Sequence, residues 1–200
     1  MILANYGIEL VRIRHEHIEM IRQWRNSKPI SRHMEFRALI SPEMQENWFE
    51  SVNNIHHFYF LIQTKGCQVG LIHLSKVSFQ DQTAHAGIFI SDPNYIATSI
   101  PVRASLSLLD FAFLNLDLKT VFAKVKNDNS KAWEYNRKLG FDFYQITDNP
   151  DFSWLDLTPE RYLKTSGTLR SMATKVFGNN HHIQFDEALP IDRLIKERLT

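Results

Sequence analysis

The stretch from Ala84 to Leu116 most constrains the fold, because it joins a strand pattern, a turn and a long helical pattern. Residues 86–90 alternate small and large apolar side chains at the two-residue period of a strand. The Ser-Asp-Pro-Asn sequence at 91–94 is typical of a turn. One apolar stripe at helical spacing follows, consisting of Val102, Leu106, Leu109, Phe113 and Leu116. The pattern predicts a strand, a short loop and an amphipathic helix, with Pro101 in its first turn.

The predicted loop from Tyr95 to Ile100 faces the N-terminus of this helix. The first backbone N–H groups of a helix have no partner within the helix, and the helix dipole adds positive charge there. Such a position is suited to bind an anion, typically a phosphate. Because every strand–loop–helix unit offers this in principle, the loop alone is a weak functional signal.

Six further strands and three further helices are predicted from period and turn residues. A second parallel strand after the long helix is favoured, since a strand–helix–strand unit connects through a crossover. The additional strands are predicted at 8–13, 57–63, 67–74, 120–125, 143–146 and 152–157, and the additional helices at 18–27, 41–52 and 130–139.

The composition indicates a globular protein without a charge bias. The chain has 200 residues, 44% of them hydrophobic, which is enough for one domain with a full core. Its 23 Lys and Arg nearly balance 22 Asp and Glu, so the sequence predicts no nucleic-acid partner and no association with an anionic membrane. The single Cys67 excludes an intramolecular disulfide, and the N-terminal segment lacks the apolar core of a signal peptide. We therefore expect a cytoplasmic location.

The character of the chain changes near Lys164, where polar segments interrupted by Gly, Asn and Pro begin. Leu194 and Leu199 are too few to bury a separate core. We therefore predict a main domain at 1–163 and an appendage at 164–200 that packs on the domain or on a neighbouring subunit. A homodimer is one expected assembly.

The segment from Val125 to Phe141 resembles part of a known family. Its Asn-rich turn, short helix and closing Lys-Leu-Gly-Phe look like the second half of a GNAT-type N-acyltransferase, and residues 88–113 resemble the acyl-CoA-binding strand, loop and helix of that superfamily. The resemblance covers roughly 8–160. It is nearest to the branch of protein N-terminal acetyltransferases and acetyltransferases for nucleotide-linked amino sugars. It implies a mixed, twisted α/β (α+β) sheet of about seven strands with helices on both faces.

The resemblance also implies acetyl-CoA as the acyl donor and assigns residues to hold it. The backbone of Phe89, Ile90 and Ser91 is expected to hydrogen-bond the pantetheine arm and thioester, while Asn129 reaches the arm from the other side. Asn129 is equally suited to be the first turn residue of the next helix, and the two roles are compatible.

The expected pyrophosphate loop departs from the family pattern Gln/Arg-x-x-Gly-x-Gly/Ala. Both glycines are absent, and Pro101 removes one N–H donor. The remaining candidates are the N–H groups and hydroxyls of Ala97, Thr98, Ser99 and Ile100. Two hypotheses follow: an enzyme that still binds CoA, and a non-catalytic binding or assembly module that has lost it.

His85 occupies the place of the glutamate that acts as base in many relatives. An imidazole has an unperturbed pKa of ~6.5, which suits deprotonation of an amine. The alternative is a half-exposed strand histidine without a role. The tyrosine that often protonates the leaving thiolate falls at Asn136, with Tyr135 beside it on the other face, so no general acid is assigned. No metal site is predicted, because none of the nine histidines comes with the spacing of a zinc site.

The acceptor candidates are Trp24, Arg25 and Asn26, at the end of the first helix. An aromatic plane and a guanidinium can stack on a base or sugar and pair with a phosphate. The alternative for Trp24 is a place in the core, and the role of Arg25 is open. The sequence thus predicts acyl transfer from acyl-CoA to a small-molecule primary amine, first that of a nucleotide-linked amino sugar, otherwise a protein N-terminus.

Overall fold

A nine-stranded sheet forms the centre of the computed structural model, which describes residues 1–199. The strands are β1 (Ile2–Asn5), β2 (Ile8–Arg12), β3 (Phe58–Thr64), β4 (Cys67–Ser78), β5 (Thr83–Ile90), β6 (Thr120–Lys126), β7 (Asp142–Ile146), β8 (Phe152–Leu157) and β9 (His182–Gln184). The helices are α1 (Ile18–Asn26), α2 (Lys28–Ser31), α3 (Pro42–Val52), α4 (Pro93–Ile96), α5 (Ile100–Asp110), α6 (Ser130–Leu139), α7 (Pro159–Phe177) and α8 (Pro190–Leu199).

The strand order is β7-β8-β6-β5-β4-β3-β2-β1-β9, and β5 and β6 form the one parallel pair among the described strands. The predicted mixed α/β fold is confirmed. The sheet has two more strands than expected, β1 and β9, which pair with each other at one end. β1 has four residues and β9 has three, and the side chains of β9 are largely exposed, so both are too short for the two-residue period to predict a strand.

The parallel pair opens part of the way along its length. Pairing runs from Thr83 opposite Thr120 to Ala86 opposite Ala123 and ends there. Beyond this point β5 continues to Ile90 while pairing with β4 alone, where Ile90 lies opposite Gly70. The two central strands therefore diverge and leave a cleft between them.

Helix α5 comes after β5 in the chain, as predicted, but the last part of the predicted helix is not α-helical. The predicted helix continues as a π-helical segment over Phe111–Asn115. Nearly every side chain of α5 is buried, including Arg103 and Asp110, because the helix is enclosed by the sheet and by the C-terminal region. Tyr6 and Tyr162 both donate hydrogen bonds to the Asp110 carboxylate, at 2.6 and 2.8 Å.

The C-terminal region is in contact with the rest of the chain. Helix α7 runs across the predicted boundary at 163/164, and β9 pairs with β1 from Ile2 to Ala4. Ile195 of α8 is 1% exposed and belongs to the main core cluster. Within residues 1–199, no helix is both long and apolar enough to cross a membrane.

Candidate active site

A cavity of about 370 Å³ lies where β5 and β6 diverge. Side chains on one face of a sheet alternate along each strand and line up across neighbouring strands. Tyr59 on β3 lies opposite His73 on β4, which lies opposite Gly87 on β5. His85 precedes Gly87 by two residues and therefore shares this face. The sheet register thus gathers two imidazoles and a phenol at one wall of the cavity.

His85, the predicted base, lines the cavity. Its ring lies 4.7 Å from the ring of Trp154 and 6.0 Å from that of Phe122. Partial burial, assisted by the positive charges of Lys76 and Lys124, lowers the pKa of His85 below its ordinary value. The ring is therefore neutral near pH 7, the form that can accept a proton. Its role as base stays a prediction.

The backbone of the strand predicted to hold the acyl donor is partly hydrogen-bonded to β4. The N–H of Ser91 donates to the carbonyl of Val69 at 2.9 Å. Because backbone groups of alternate residues point to opposite neighbours, those of Phe89 also face β4, where this residue lies opposite Leu71. Ile90 is the residue of the three whose backbone groups face the open cleft. The side chain of Phe89 lines the cavity.

The loop before α5 is internally hydrogen-bonded. The N–H groups of Ala97 and Thr98 donate to the carbonyl of Tyr95, and the N–H of Ile100 donates to the Thr98 hydroxyl at 3.2 Å. Ser99 is the N-cap residue of α5. A phosphate bound here would therefore have to replace hydrogen bonds that the loop makes within itself.

Arg103 is a cation near this loop, but its guanidinium contacts other parts of the chain. Its guanidinium donates to the carbonyls of Tyr6 and Gly7 at 2.9 and 3.2 Å and covers the ring of Phe177. It therefore ties α5 to the N-terminal strands.

Asn129 is the N-cap of α6 and also lines the cavity. Its side-chain oxygen accepts a hydrogen bond from the N–H of Ala132 at 3.2 Å, and its amide nitrogen lies 3.4 Å from Nδ1 of His33. The capping interpretation is thus confirmed by geometry. The donor-binding role stays a prediction.

Tyr135 and Asn136 both line the cavity, although the sequence predicted Tyr135 on the other face. The Tyr135 hydroxyl donates to the carbonyl of Pro101 at 2.8 Å and lies 2.7 Å from the hydroxyl of Ser105. Burial raises the pKa of Tyr135. Asn136, in the expected position of the family tyrosine, donates to the carbonyl of Ala132. Neither side chain therefore has a free acidic proton to donate.

The three predicted acceptor residues have three different surroundings. The Trp24 ring meets the ring of Phe89 edge-on at 6.2 Å, in the smaller hydrophobic cluster, which supports the core interpretation. Asn26 exchanges two hydrogen bonds with the backbone of Ile40, at 2.9 and 3.0 Å, and so anchors the loop that leads into α3. Arg25 is the one of the three that lines the cavity.

Arg25 is a cation without an anionic partner among residues 1–199. Its Nε is buried and makes no hydrogen bond with the described residues. Burial lowers the pKa of Arg25, and the nearby Tyr59 opposes this shift. By contrast, Lys124 on the opposite wall is paired with Glu35 through two contacts of 2.7 Å.

Sequence reasoning missed His73, Tyr59 and the Glu35–Lys124 pair. Their proximity depends on sheet register and on the loop between α2 and α3, so no local motif marks them. Within residues 1–199, no group of three or more His, Cys, Asp or Glu side chains is arranged to hold a metal ion.

The arrangement as a whole defines a class of protein. Two diverging central strands, a buried helix with a short loop before it, and an adjoining cavity lined by apolar and polar side chains form the site expected for an acyl-CoA-dependent acyltransferase. The family model "Acetyltransferase (GNAT) domain" matches residues 8–142. The chain therefore belongs to the GNAT acetyltransferase family, and the predicted class, an N-acetyltransferase with acetyl-CoA as donor, is confirmed.

Three relatives illustrate the similarity. Spermidine N(1)-acetyltransferase of Escherichia coli strain K12 is 24% identical over 139 residues, which cover 68% of this chain and 73% of the relative. Spermidine N-acetyltransferase from Vibrio cholerae, in complex with CoA and spermine, matches with a TM-score of 0.70 and 18% identity, covering 80% of this chain and 99% of the other. A dodecameric structure of that enzyme in an intermediate state matches with a TM-score of 0.65 and 17% identity, covering 81% and 99%. All three are named as spermidine acetyltransferases, so none of them carries the name of the branch that the sequence predicted, the protein N-terminal and nucleotide-amino-sugar acetyltransferases.

Proposed function

We propose that this protein transfers the acetyl group of acetyl-CoA to the primary amine of an anionic small molecule, in the first place a nucleotide-linked amino sugar. The observation that carries this proposal is the unpaired Arg25 in the wall of the cavity. A buried or half-buried cation is unfavourable unless an anion pairs with it. The phosphates of a nucleotide-linked sugar supply that anion, and Trp154 in the cavity wall offers an aromatic ring for contact with its rings.

The charge of the cavity disfavours a polyamine such as the substrate named for the relatives. A polyamine carries several positive charges and would lie beside Arg25 and Lys124. The carboxylate of Glu35, the acidic group in the cavity wall, is already paired with Lys124. Repulsion between like charges at short range then opposes binding.

The donor fits the cleft through the chain's own groups. Ile90 presents backbone groups to the cleft, and Asn129 and the later part of α5, from Ser105 to Leu109, line the adjoining cavity. When bound, acetyl-CoA supplies an activated acetyl thioester. His85, neutral near pH 7, is positioned to accept the proton that the amine loses, directly or through water. The reaction also requires that the amine be oriented toward the thioester, and a fixed cavity provides this orientation.

A panel of amines tests this function. The protein is incubated with acetyl-CoA and one of three acceptors: a nucleotide-diphosphate-linked amino sugar, a peptide with a free N-terminus, or spermidine, and release of the CoA thiol is measured. We expect kcat/KM for the sugar nucleotide to exceed the other two by at least about tenfold, because it alone pairs with Arg25. Turnover confined to spermidine or to the peptide contradicts the proposed acceptor. Absence of thiol release with all three acceptors contradicts the proposed function.

A further inference from the structure

His73 lies between the acceptor wall and the donor cleft. Its ring stacks on that of Tyr59, with centroids 4.5 Å apart and planes inclined by 23°. On the other side, a Cβ built on Gly87 would lie only 2.4 Å from His73 Nε2. Real Cβ atoms do not approach so closely, so the glycine provides the space that the imidazole occupies. Nε2 therefore lies directly beside the part of β5 that turns toward the cleft.

The surroundings keep this imidazole neutral. Arg25 from α1, Tyr59 from β3 and His85 from β5 lie around the ring, together with His57, which directly precedes β3. Burial, and then the positive charges of Arg25, His57 and His85, lower the pKa of His73 to about 3. Its Nδ1 is buried and makes no hydrogen bond with residues 1–199. A neutral imidazole has one donor and one acceptor nitrogen, and neither nitrogen of His73 is used in a hydrogen bond within the described residues.

We infer that His73 positions the attacking amine, by accepting a hydrogen bond from it at the ring nitrogen that lies over Gly87. This inference rests on the proposed function, since it concerns the same acceptor. The hydrogen bond holds the nitrogen lone pair toward the cleft while His85 remains the proton acceptor, so His73 gains no proton. The stack on Tyr59 fixes the plane of the ring, which gives the hydrogen bond a defined direction.

Two substitutions at His73 and one matched control test the inference. His73→Leu removes both ring nitrogens at similar volume, and His73→Gln keeps a polar group of similar reach. His57→Leu is the control, because the His57 ring also stacks on Tyr59, at 6.3 Å and 17°, but does not line the cavity. The assay measures kcat and both KM values with the amine that the wild-type protein acetylates fastest, alongside thermal unfolding.

We expect His73→Leu to lower kcat by roughly tenfold to a hundredfold, with KM for acetyl-CoA within about twofold. His73→Gln should recover part of kcat, whereas His57→Leu should keep the wild-type value. A folded His73→Leu protein with kcat within twofold of wild type overturns the inference, and so does an equal loss in His57→Leu. A wild-type protein that acetylates no amine overturns the proposed function as well.

Discussion

At the scale of the residue, the imidazoles of His85 and His73 lie two register positions apart beside Gly87 in the wall of the cavity, and each has its own proposed role. His85 was found from its offset to Gly87 on the central strand, and it does line the cavity. His73 was missed, because its place depends on which residue of β4 faces Gly87 across the sheet. That pairing is a long-range property of register, which the local sequence does not carry.

Replacing His85 by Gln tests its role as base. Glutamine keeps a polar side chain but accepts no proton at working pH. We expect kcat/KM to fall about 10²-fold or more, and the acid limb of the pH profile, which should lie below pH 6.5 in the wild type, to disappear. Steady-state kinetics between pH 5 and 9 measure both effects. An unchanged profile would remove His85 from the mechanism.

Replacing Gly87 by Ala tests the close packing beside His73. The new Cβ would lie 2.4 Å from Nε2, so the imidazole must move. We expect a loss of about 1–3 kcal/mol in the free energy of unfolding, as for other overpacked sites, together with lower kcat. Gly167→Ala in α7 is the control: nothing lies within 4 Å of its added Cβ, so it should leave activity unchanged and stabilise slightly. Equal stability of the two variants would contradict the packing described.

At the scale of the element, regular periodicity located seven strands and the long helix, and pairing decided the rest. β9 lies in a polar segment and exists because β1 offers it an edge, so its formation is a non-local event. The end of α5 was predicted as α-helix, yet the segment from Phe111 to Asn115 widens into a π-helical turn. An apolar stripe specifies a helical face but does not distinguish these two hydrogen-bond patterns.

Replacing Thr98 by Ala tests whether the loop before α5 binds the donor. The Thr98 hydroxyl accepts the N–H of Ile100 and donates to the carbonyl of Tyr95 at 2.7 Å. Its removal frees one N–H at the helix N-terminus, so calorimetry should show CoA binding that is several-fold tighter than in the wild type. The variant should also unfold at slightly lower temperature. Unchanged CoA affinity would place the phosphates away from this loop.

At the scale of the whole molecule, the C-terminal region and the main domain share one sheet and one core. The sequence suggested an appendage because its polar residues dominate. Their few apolar neighbours, among them Ile195 and Ala173, are nevertheless buried against the rest of the chain. Burial of a few apolar side chains against an existing core requires no apolar pattern of its own, so the sequence predicted packing on the domain as one alternative without showing which side chains are buried.

Folding stability should depend on pH through the buried histidines. Because the pKa of His73 is about 3 in the folded protein and near 6.5 when unfolded, the unfolded state binds more protons between these values. The contribution of His73 to the free energy of unfolding is therefore fully present above pH 6.5. Below pH 6.5 this contribution decreases by roughly 1 kcal/mol per pH unit. His33, His57 and His85 add shifts in the same direction.

Denaturant unfolding at pH 7.5 and 5.5 measures this dependence. His73→Gln should lose less stability than the wild type over the same interval, since it removes one group that must protonate on unfolding. An identical loss in both proteins would contradict the assigned environment of His73.

The central claim, acetyl transfer to an anionic amine bound at Arg25, is tested most directly by one specificity ratio. The measurement is kcat/KM for a nucleotide-linked amino sugar divided by kcat/KM for spermidine, in the wild type and in Arg25→Gln. The account predicts a ratio well above one in the wild type and a fall of roughly tenfold to a hundredfold in the variant, through a higher KM for the sugar nucleotide, because a charge-assisted hydrogen bond is lost. A wild-type ratio below one, or a ratio that Arg25→Gln leaves unchanged, would contradict it.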